Sequence, residues 1–291
     1  MPVAAPPSGV WYSLDVDPTT SPLKPTLMSR LQLRPEFHRA LRAFKVVELA
    51  SKVLSLRPLR RTLPGGTRYR VRYGESLLMA DEIFKREVYG DPFAGRDVRT
   101  FIDLGSNVGY FTCYAMDRIG RRDAIGLAVD ANPKMAAETA FHIAHNAWPR
   151  VLGVWSVVGF PTARKEAPFF LNPSNISGSA TVLNPNIPAK GKQTEITVPT
   201  IDLDKAWRDH AGDAPVDVLK VDVEGFEVKV LDSFPDLLKR TNTVVVEWHK
   251  WITPRDPVDD VLGRAGLGFV KVVTEDPHCG VAFYERPSPI R

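Results

Sequence analysis

The 291-residue sequence has little of several features that would define a class of protein at once. It contains two cysteines, Cys113 and Cys279, which form neither a disulfide framework nor a metal-ligand spacing. No stretch is both apolar and long enough to span a membrane. The N-terminus has no charged region followed by an apolar core, so it does not resemble a signal peptide. We therefore expect a cytoplasmic protein.

A strong excess of charge of one sign is also absent. The formal net charge is +4, which is too small to indicate a nucleic-acid partner unless the charge is clustered. Hydrophobic residues make up 44% of the chain and charged residues 25%, an ordinary soluble composition. A core of this size needs neither disulfides nor a metal to fold.

The organisation of the chain changes near residue 80. Residues 1–30 are rich in proline and predict an extended tail. Residues 35–56 place apolar side chains at helical spacing beside a basic face. Such a helix can pack on the main domain or on a second copy in a homodimer, or lie on a membrane surface. We divide the chain into an N-terminal extension (1–80) and a main domain (81–291).

From residue 99 onward, predicted strands alternate with predicted helices. This alternation predicts an α/β fold with a mostly parallel sheet and helices on both of its faces. The last two strands have no helix between them, so we expect them to pair antiparallel. The polar stretch at 161–199 is long for a connection, and we predict an insertion that closes over the site as a lid. Its turn would contain Ser177, Gly178 and Ser179.

Acidic side chains stand at the carboxyl ends of four predicted strands. Ligands of open α/β sheets bind outside these strand ends. One such residue would be explained as a helix cap, whereas four together favour a ligand site. The acidic residues are Asp103, Asp130, Asp222 with Glu224, and Glu247.

The segment "DLGSNVG" predicts a turn from strand to helix that a ligand approaches closely. Gly105 and Gly109 permit that approach, but their spacing is not the G-x-G-x-x-G of dinucleotide enzymes. This disfavours an NAD-dependent oxidoreductase. Asp103 before the turn favours an ammonium or sulfonium ligand over a pyrophosphate. Asp130, 27 positions later, can accept both hydroxyls of a ribose, so the pattern indicates S-adenosylmethionine.

The segments "FIDLGSNVGYFT", "VDANP", "TIDLD", "LKVDVEGFEVKVL" and "VVVEWH" resemble the FkbM-type methyltransferases in order and spacing. The resemblance covers roughly residues 87–286. It implies a seven-stranded, Rossmann-like class I methyltransferase fold and S-adenosylmethionine as the donor, with S-adenosylhomocysteine as the product. It also implies O-methylation of a hydroxyl, with sugars or natural products as acceptors. The implied donor-binding residues are Asp103, Gly105, Ser106, Asn107, Gly109, Tyr110, Asp130, Ala131, Asn132 and Ser156.

The second signature, "KVDVEGFE", carries the candidate catalytic residues. If the strand continues to Gly225, Asp222 and Glu224 point to the same side. Their repulsion is relieved by a cation, either Lys220 or a bound divalent metal. We favour Asp222 beside the methyl group and the acceptor, with Glu224 binding the acceptor or assisting. The alternative interpretation is structural, in which the two carboxylates hold Lys220 and cap the next helix.

Two residues of the next strand leave alternatives open. His249 is the second candidate for the base that removes the acceptor's proton, because an imidazole titrates near neutral pH. Glu247 is as consistent with a structural partner, such as Lys220, as with a substrate contact.

We expect a methyltransferase that acts on a hydroxyl of a sugar or another small molecule. One alternative is a methyltransferase of RNA or other nucleic acid, for which the basic segment at 35–61 is the one candidate surface. The other is a catalytically silent scaffold that binds the nucleoside.

Overall fold

The computed structural model describes residues 46–161, 163–172, 179–181, 193–252 and 254–290. The predicted tail, the first part of the predicted basic helix, and Ser177 and Gly178 lie outside the described residues. Within the described ranges, no helix combines the length and apolar character needed to cross a membrane.

The N-terminal elements form a helix, a hairpin and a second helix that pack on the main domain. Leu54, Val71 and Ile83 share one buried cluster with Phe111 and Phe283. The boundary expected near residue 80 therefore falls inside a helix and inside a continuous core. The elements are α1 (Val46–Leu56), β1 (Leu59–Thr62), β2 (Arg68–Val71) and α2 (Ser76–Phe84), followed by a 3₁₀ turn at Asp91–Phe93.

The main domain alternates strands and helices as expected. Its elements are β3 (Thr100–Leu104), α3 (Tyr110–Ile119), β4 (Ile125–Asp130), α4 (Pro133–Asn146), β5 (Val151–Trp155), β6 (Glu166–Leu171), β7 (Thr194–Pro199), α5 (Leu203–Ala211), β8 (Val216–Val221), α6 (Glu227–Asp232), α7 (Pro235–Lys239), β9 (Thr241–His249), α8 (Asp256–Arg264), β10 (Gly268–Glu275) and β11 (Cys279–Glu285).

Seven of these strands form one sheet in the order β10-β11-β9-β8-β3-β4-β5. Strands β9, β8, β3, β4 and β5 are parallel to one another. Strand β11 runs antiparallel to both β9 and β10. The predicted α/β class, the seven strands and the antiparallel closing pair are confirmed. Because the strand order changes direction beside β3, the ends of β3, β4 and β8 border one crevice.

Side-chain alternation along the strands divides the core into two layers. Ile102, Leu219 and Val244 face helices α5–α8 in one buried cluster. Phe101 and Val218 face α3 and the N-terminal elements in the other. Three charged residues near the ends of β3, β8 and β9 lie on this second face: Asp103, Lys220 and Glu247.

Gly105 follows β3 at a point where no other residue fits. Its φ is +72°, and a Cβ there would lie 1.7 Å from the backbone oxygen of Asp222. The loop after β3 and the end of β8 are therefore in backbone contact, which a side chain would separate.

We expect Gly105→Ala to destabilise the fold far more than Gly120→Ala. Gly120 also has positive φ, at +65°, but no atom lies within 4 Å of its added Cβ. The control should lose about 1–2 kcal/mol, the cost of the left-handed conformation alone. Urea unfolding of both variants measures the difference. Equal losses would contradict the backbone contact described here.

Candidate active site

A cavity of about 1120 Å³ opens at the carboxyl ends of β3, β4, β8 and β9. Ten of the sequence-predicted site residues line it: Gly105, Ser106, Asn107, Tyr110, Asp130, Ala131, Asn132, Ser156, Asp222 and Glu224. The N-terminal extension supplies part of the wall, including Ser51, Tyr73 and Leu78, and Tyr89 of the main domain also lines the cavity. The cavity is thus built by both parts of the chain.

Asp130 organises the end of the cavity beside β4. Its Oδ2 accepts the Asn107 N–H at 2.6 Å, and its Oδ1 accepts the Asn132 N–H at 2.7 Å. Burial raises the pKa of Asp130 to about 6, although these two backbone hydrogen bonds oppose the increase. The Asn132 side chain in turn caps α4 by accepting the Lys134 N–H. One carboxylate therefore holds two loops in position around a polar recess.

Gly109 lies behind the cavity wall. Its φ is +79°, and a Cβ there would meet Thr139 at 2.9 Å. The Thr139 hydroxyl donates to the Asn107 carbonyl at 2.8 Å. Gly109 therefore allows the loop after β3 to pack on α4, which is a structural role.

Asp103 also does not line the cavity. It is fully buried, and its Oδ2 accepts the Thr112 hydroxyl at 2.8 Å. Its Oδ1 lies 3.4 Å from Lys220 Nζ. Burial raises the pKa of Asp103 above its usual value, and the charge of Lys220 opposes that increase. From the sequence, Asp103 was expected to lie beside a cationic ligand. In the structure it lies beside the ammonium group of Lys220 instead.

Lys220 links the end of β3, the loop after β3 and the end of β8 at the base of the cavity. Its ammonium group donates to the Gly105 carbonyl at 2.7 Å and lies 3.3 Å from Asp222 Oδ2. Burial by itself would lower the pKa of Lys220, but the charges of Asp222 and Asp103 outweigh it and raise the pKa. The lysine therefore remains charged and orients Asp222.

The strand geometry expected to continue to Gly225 ends earlier. β8 stops at Val221, and positive φ values of 53° at Glu224 and 92° at Gly225 turn the chain. Asp222 and Glu224 nevertheless both line the cavity. Burial, with the nearby charge of Asp222 as a smaller cause, raises the pKa of Glu224, while the charge of His249 opposes the increase. The turn, rather than strand alternation, brings the two carboxylates together.

His249 ends β9 as a buried residue between two carboxylates. Its Nδ1 donates to Glu227 Oε1 at 2.8 Å, and its Nε2 lies 3.4 Å from Glu224 Oε2. Burial by itself would lower the pKa of His249, but the hydrogen bond to Glu227 and the charge of Glu224 raise it to about 10. The imidazole is therefore protonated at neutral pH, the opposite of what a base requires.

Glu247 forms a hydrogen bond with Tyr89 rather than an ion pair with Lys220. Its Oε2 accepts the Tyr89 hydroxyl at 2.8 Å, and the ion pairs of Lys220 are with Asp103 and Asp222. Burial and the nearby charge of Asp222 raise the pKa of Glu247. Glu247 lines the cavity, so this carboxylate is available to a ligand.

Glu227 and Tyr89, whose hydrogen bonds hold His249 and Glu247, were not expected from the sequence. Glu227 is the last residue of the "KVDVEGFE" signature, so the motif itself contained the signal. Tyr89 lies in the "EVYGDPF" segment, which has no periodicity or spacing that indicates a site. Its contact with Glu247 depends on how the segment between α2 and β3 packs against β9, a feature of tertiary structure alone.

The insertion at 161–199 contributes an antiparallel pair of its own, β6 with β7. Phe169 packs with Val157 and Val198 in a small separate cluster. Phe169, Ser179 and Thr181 reach the wall of the cavity. The described part of the insertion therefore borders the cavity, and its action as a lid stays a prediction.

The seven-stranded sheet with one antiparallel strand, and a crevice where the strand order reverses, define the Rossmann-like class I methyltransferase fold. A family model described as "Methyltransferase FkbM domain" matches residues 103–269, more than half of the chain. The chain therefore belongs to the FkbM methyltransferase family.

Individual relatives are distant. The hexuronic acid methyltransferase AglP of Haloferax volcanii is 28% identical over 166 residues, which cover 57% of this chain. The match spans 62% of the length of that relative. Among solved structures, the Methanococcus jannaschii fibrillarin pre-rRNA processing protein has a TM-score of 0.44 at 12% identity, covering 80% of this chain and 84% of its own. A SAM dependent methyltransferase from Aquifex aeolicus has a TM-score of 0.41 at 14% identity, covering 70% and 91%.

Lys220→Met should lower the free energy of unfolding by about 3–5 kcal/mol, because it leaves the fully buried Asp103 without a counter-charge. Lys239→Met is the matched control, since the Lys239 side chain is 64% exposed, and it should change stability by less than about 0.5 kcal/mol. Adding Asp103→Asn to Lys220→Met should recover part of the loss. Chemical denaturation measures all three, and no recovery would argue against a charge-based cause.

Proposed function

We propose that this protein is a methyltransferase that uses S-adenosylmethionine to methylate a hydroxyl of a sugar or another small molecule. The observation that carries the proposal is one continuous cavity with Asp130 at one end and Asp222 with Glu224 at the other. Membership of the FkbM family supports the reaction class. The similarity to a hexuronic acid methyltransferase supports a sugar as the acceptor.

The recess between the loop after β3 and the start of α4 fits a nucleoside. Asp130 stands at its edge with lone pairs that can accept ribose hydroxyls, as acids in this position do in related folds. Gly105 and Ser106 expose backbone to the cavity, so a ligand tail can pass close to it. Ala131, Asn132 and Ser156 complete the wall, and we assign them to the donor with Asn107 and Tyr110.

S-adenosylmethionine supplies a methyl group on a positively charged sulfur, so the protein needs mainly to position the acceptor and take up its proton. We assign Asp222 to the place beside the reacting centre, where its ion pair with Lys220 fixes the carboxylate. We assign Glu224 to binding the acceptor hydroxyl and accepting its proton. Its raised pKa suits a base that works near neutral pH.

His249 has a supporting role in this proposal. Because its pKa is raised to about 10, the imidazole does not accept a proton at neutral pH. Its position 3.4 Å from Glu224 Oε2 instead orients that carboxylate. The insertion, with Ser179 and Thr181 at the cavity wall, is proposed to close over the acceptor.

Isothermal titration with S-adenosylhomocysteine and with NAD tests the donor. We expect binding of the former, absence of binding of the latter, and a loss of at least about tenfold in affinity for Asp130→Asn, because a charge-assisted hydrogen bond is lost. Asp123→Asn, at an exposed site, is the control. Failure of the wild-type protein to bind S-adenosylhomocysteine at millimolar concentration would overturn the proposal.

The affinity for S-adenosylhomocysteine should fall as the pH is lowered through about 6. The carboxylate of Asp130 is ionised above its raised pKa of about 6, and the protonated form is a weaker hydrogen-bond acceptor. Titrations between about pH 5 and pH 8 measure this change, and Asp130→Asn should remove it. A wild-type affinity that is constant over this range would contradict the assignment.

Transfer to uronic acid glycosides, neutral glycosides and polyhydroxylated aromatic compounds tests the acceptor class. Asp222→Asn and Glu224→Gln should each bind S-adenosylhomocysteine and lose about 10²–10⁴-fold in turnover, the usual contribution of a positioned base. Unchanged turnover in either variant would remove that residue from the catalytic group. Normal donor binding without transfer to any acceptor by the wild-type protein would favour the silent scaffold.

A further inference from the structure

The side chains of Asp222 and Glu224 line the acceptor end of the cavity, and the buried His249 lies beside them without lining it. One ligand-type atom from each lies within 4.8 Å of the other two. Atoms that share one metal ion at about 2.0–2.6 Å are at most about 4.0–5.2 Å apart. The three side chains are therefore already close enough to bind a common ion.

The ring orientation of His249 adds a separate observation. Nδ1 donates to Glu227, so the ring is oriented with Nε2 toward Glu224. Metal-binding histidines commonly donate the other ring N–H to a carboxylate in this way, which orients the ligating nitrogen. Glu227 lies behind the imidazole rather than in the ligand set.

Glu227 is a buried carboxylate with one oxygen left without a hydrogen bond in the described ranges. It is fully buried, and its Oε1 accepts both the His249 Nδ1–H and the Gly225 N–H at 2.8 Å. Its Oε2 has no hydrogen-bond partner among the described residues. A buried carboxylate in this condition is costly unless a positive charge lies nearby. In the metal-free protein the imidazolium of His249 supplies that charge, and a metal ion bound to Nε2 would supply it in turn.

The carboxylates that surround His249 also favour a bound cation. Within the described part of the chain, four carboxylates gather here, those of Asp222, Glu224, Glu227 and Glu247. Lys220 provides one fixed cation, but its ion pairs are with Asp222 and the deeper Asp103. Protonated His249 provides a second positive charge, and a divalent ion that replaced its Nε2 proton would add one more unit of positive charge between the carboxylates.

We propose that Asp222, Glu224 and His249 bind a divalent metal ion, with Glu227 as the positioning residue of the histidine. Two carboxylates and one imidazole suit ions that accept mixed oxygen and nitrogen ligands, such as Mn²⁺, Fe²⁺ or Zn²⁺. On binding, the metal replaces the proton on Nε2, which is released to solvent. The catalytic role of the metal rests on the proposed methyltransferase function: it would hold acceptor oxygens at the cavity wall. The binding itself does not depend on that function.

The test is a titration of metal-free protein with Mn²⁺, followed by the electron paramagnetic resonance signal of the free ion. We expect about one ion per chain. Glu224→Gln and His249→Gln should each lose at least about tenfold in affinity, and Glu227→Gln about 10–100-fold with all three ligands intact. Glu166→Gln, which is exposed on β6 and does not line the cavity, is the control and should bind as the wild type does.

Two further measurements decide the outcome even if a variant fails to fold. Electron spin echo spectra of the wild-type protein with Mn²⁺ should show coupling to a ¹⁴N nucleus of His249. Absence of that coupling, or of stoichiometric Mn²⁺ and Zn²⁺ binding at millimolar concentration, would overturn the proposal. S-adenosylhomocysteine binding is measured on the same sample. Its persistence without metal binding overturns the metal site alone, and its loss with metal binding retained overturns the methyltransferase proposal alone.

Discussion

The buried ammonium group of Lys220 is the interaction on which the rest of the site depends. It lies between the fully buried Asp103 and the cavity-lining Asp222, and it donates to the carbonyl of Gly105. The end of β3, the loop after it and the end of β8 are thereby joined at one point. Because β3 and β8 are neighbours in the sheet, a single side chain fixes both halves of the cavity relative to each other.

The N-terminal extension is part of the site, although the family match begins only at residue 103. Its helices and hairpin cover the sheet face that carries the charged alternating positions. Ser51, Tyr73 and Leu78 of the extension line the cavity, and Tyr89, a few residues beyond it, donates to Glu247. The proposed donor-binding residues lie within the matched region, whereas this part of the cavity wall lies before it.

Much of the fold was predictable because it follows from local patterns. Apolar strands alternating with helices indicated the parallel sheet, and the missing helix before β11 indicated its antiparallel pairing. The cavity-lining acids were predictable because strand ends share one edge of the sheet. The partners of Glu247 and His249 were not, since they come from residues 158 and 22 positions away in the chain. The protonated state of His249 depends on those partners and on burial, neither of which one residue type reveals.

The central claim is that one cavity holds donor and acceptor, with Asp130 at the donor end and Asp222 with Glu224 at the acceptor end. A crystal structure of the protein with S-adenosylhomocysteine tests it most directly. The account predicts ribose hydroxyls within hydrogen-bond distance of Asp130 and the sulfur facing Asp222. S-adenosylhomocysteine bound elsewhere, or with its ribose at Glu224, would contradict the account.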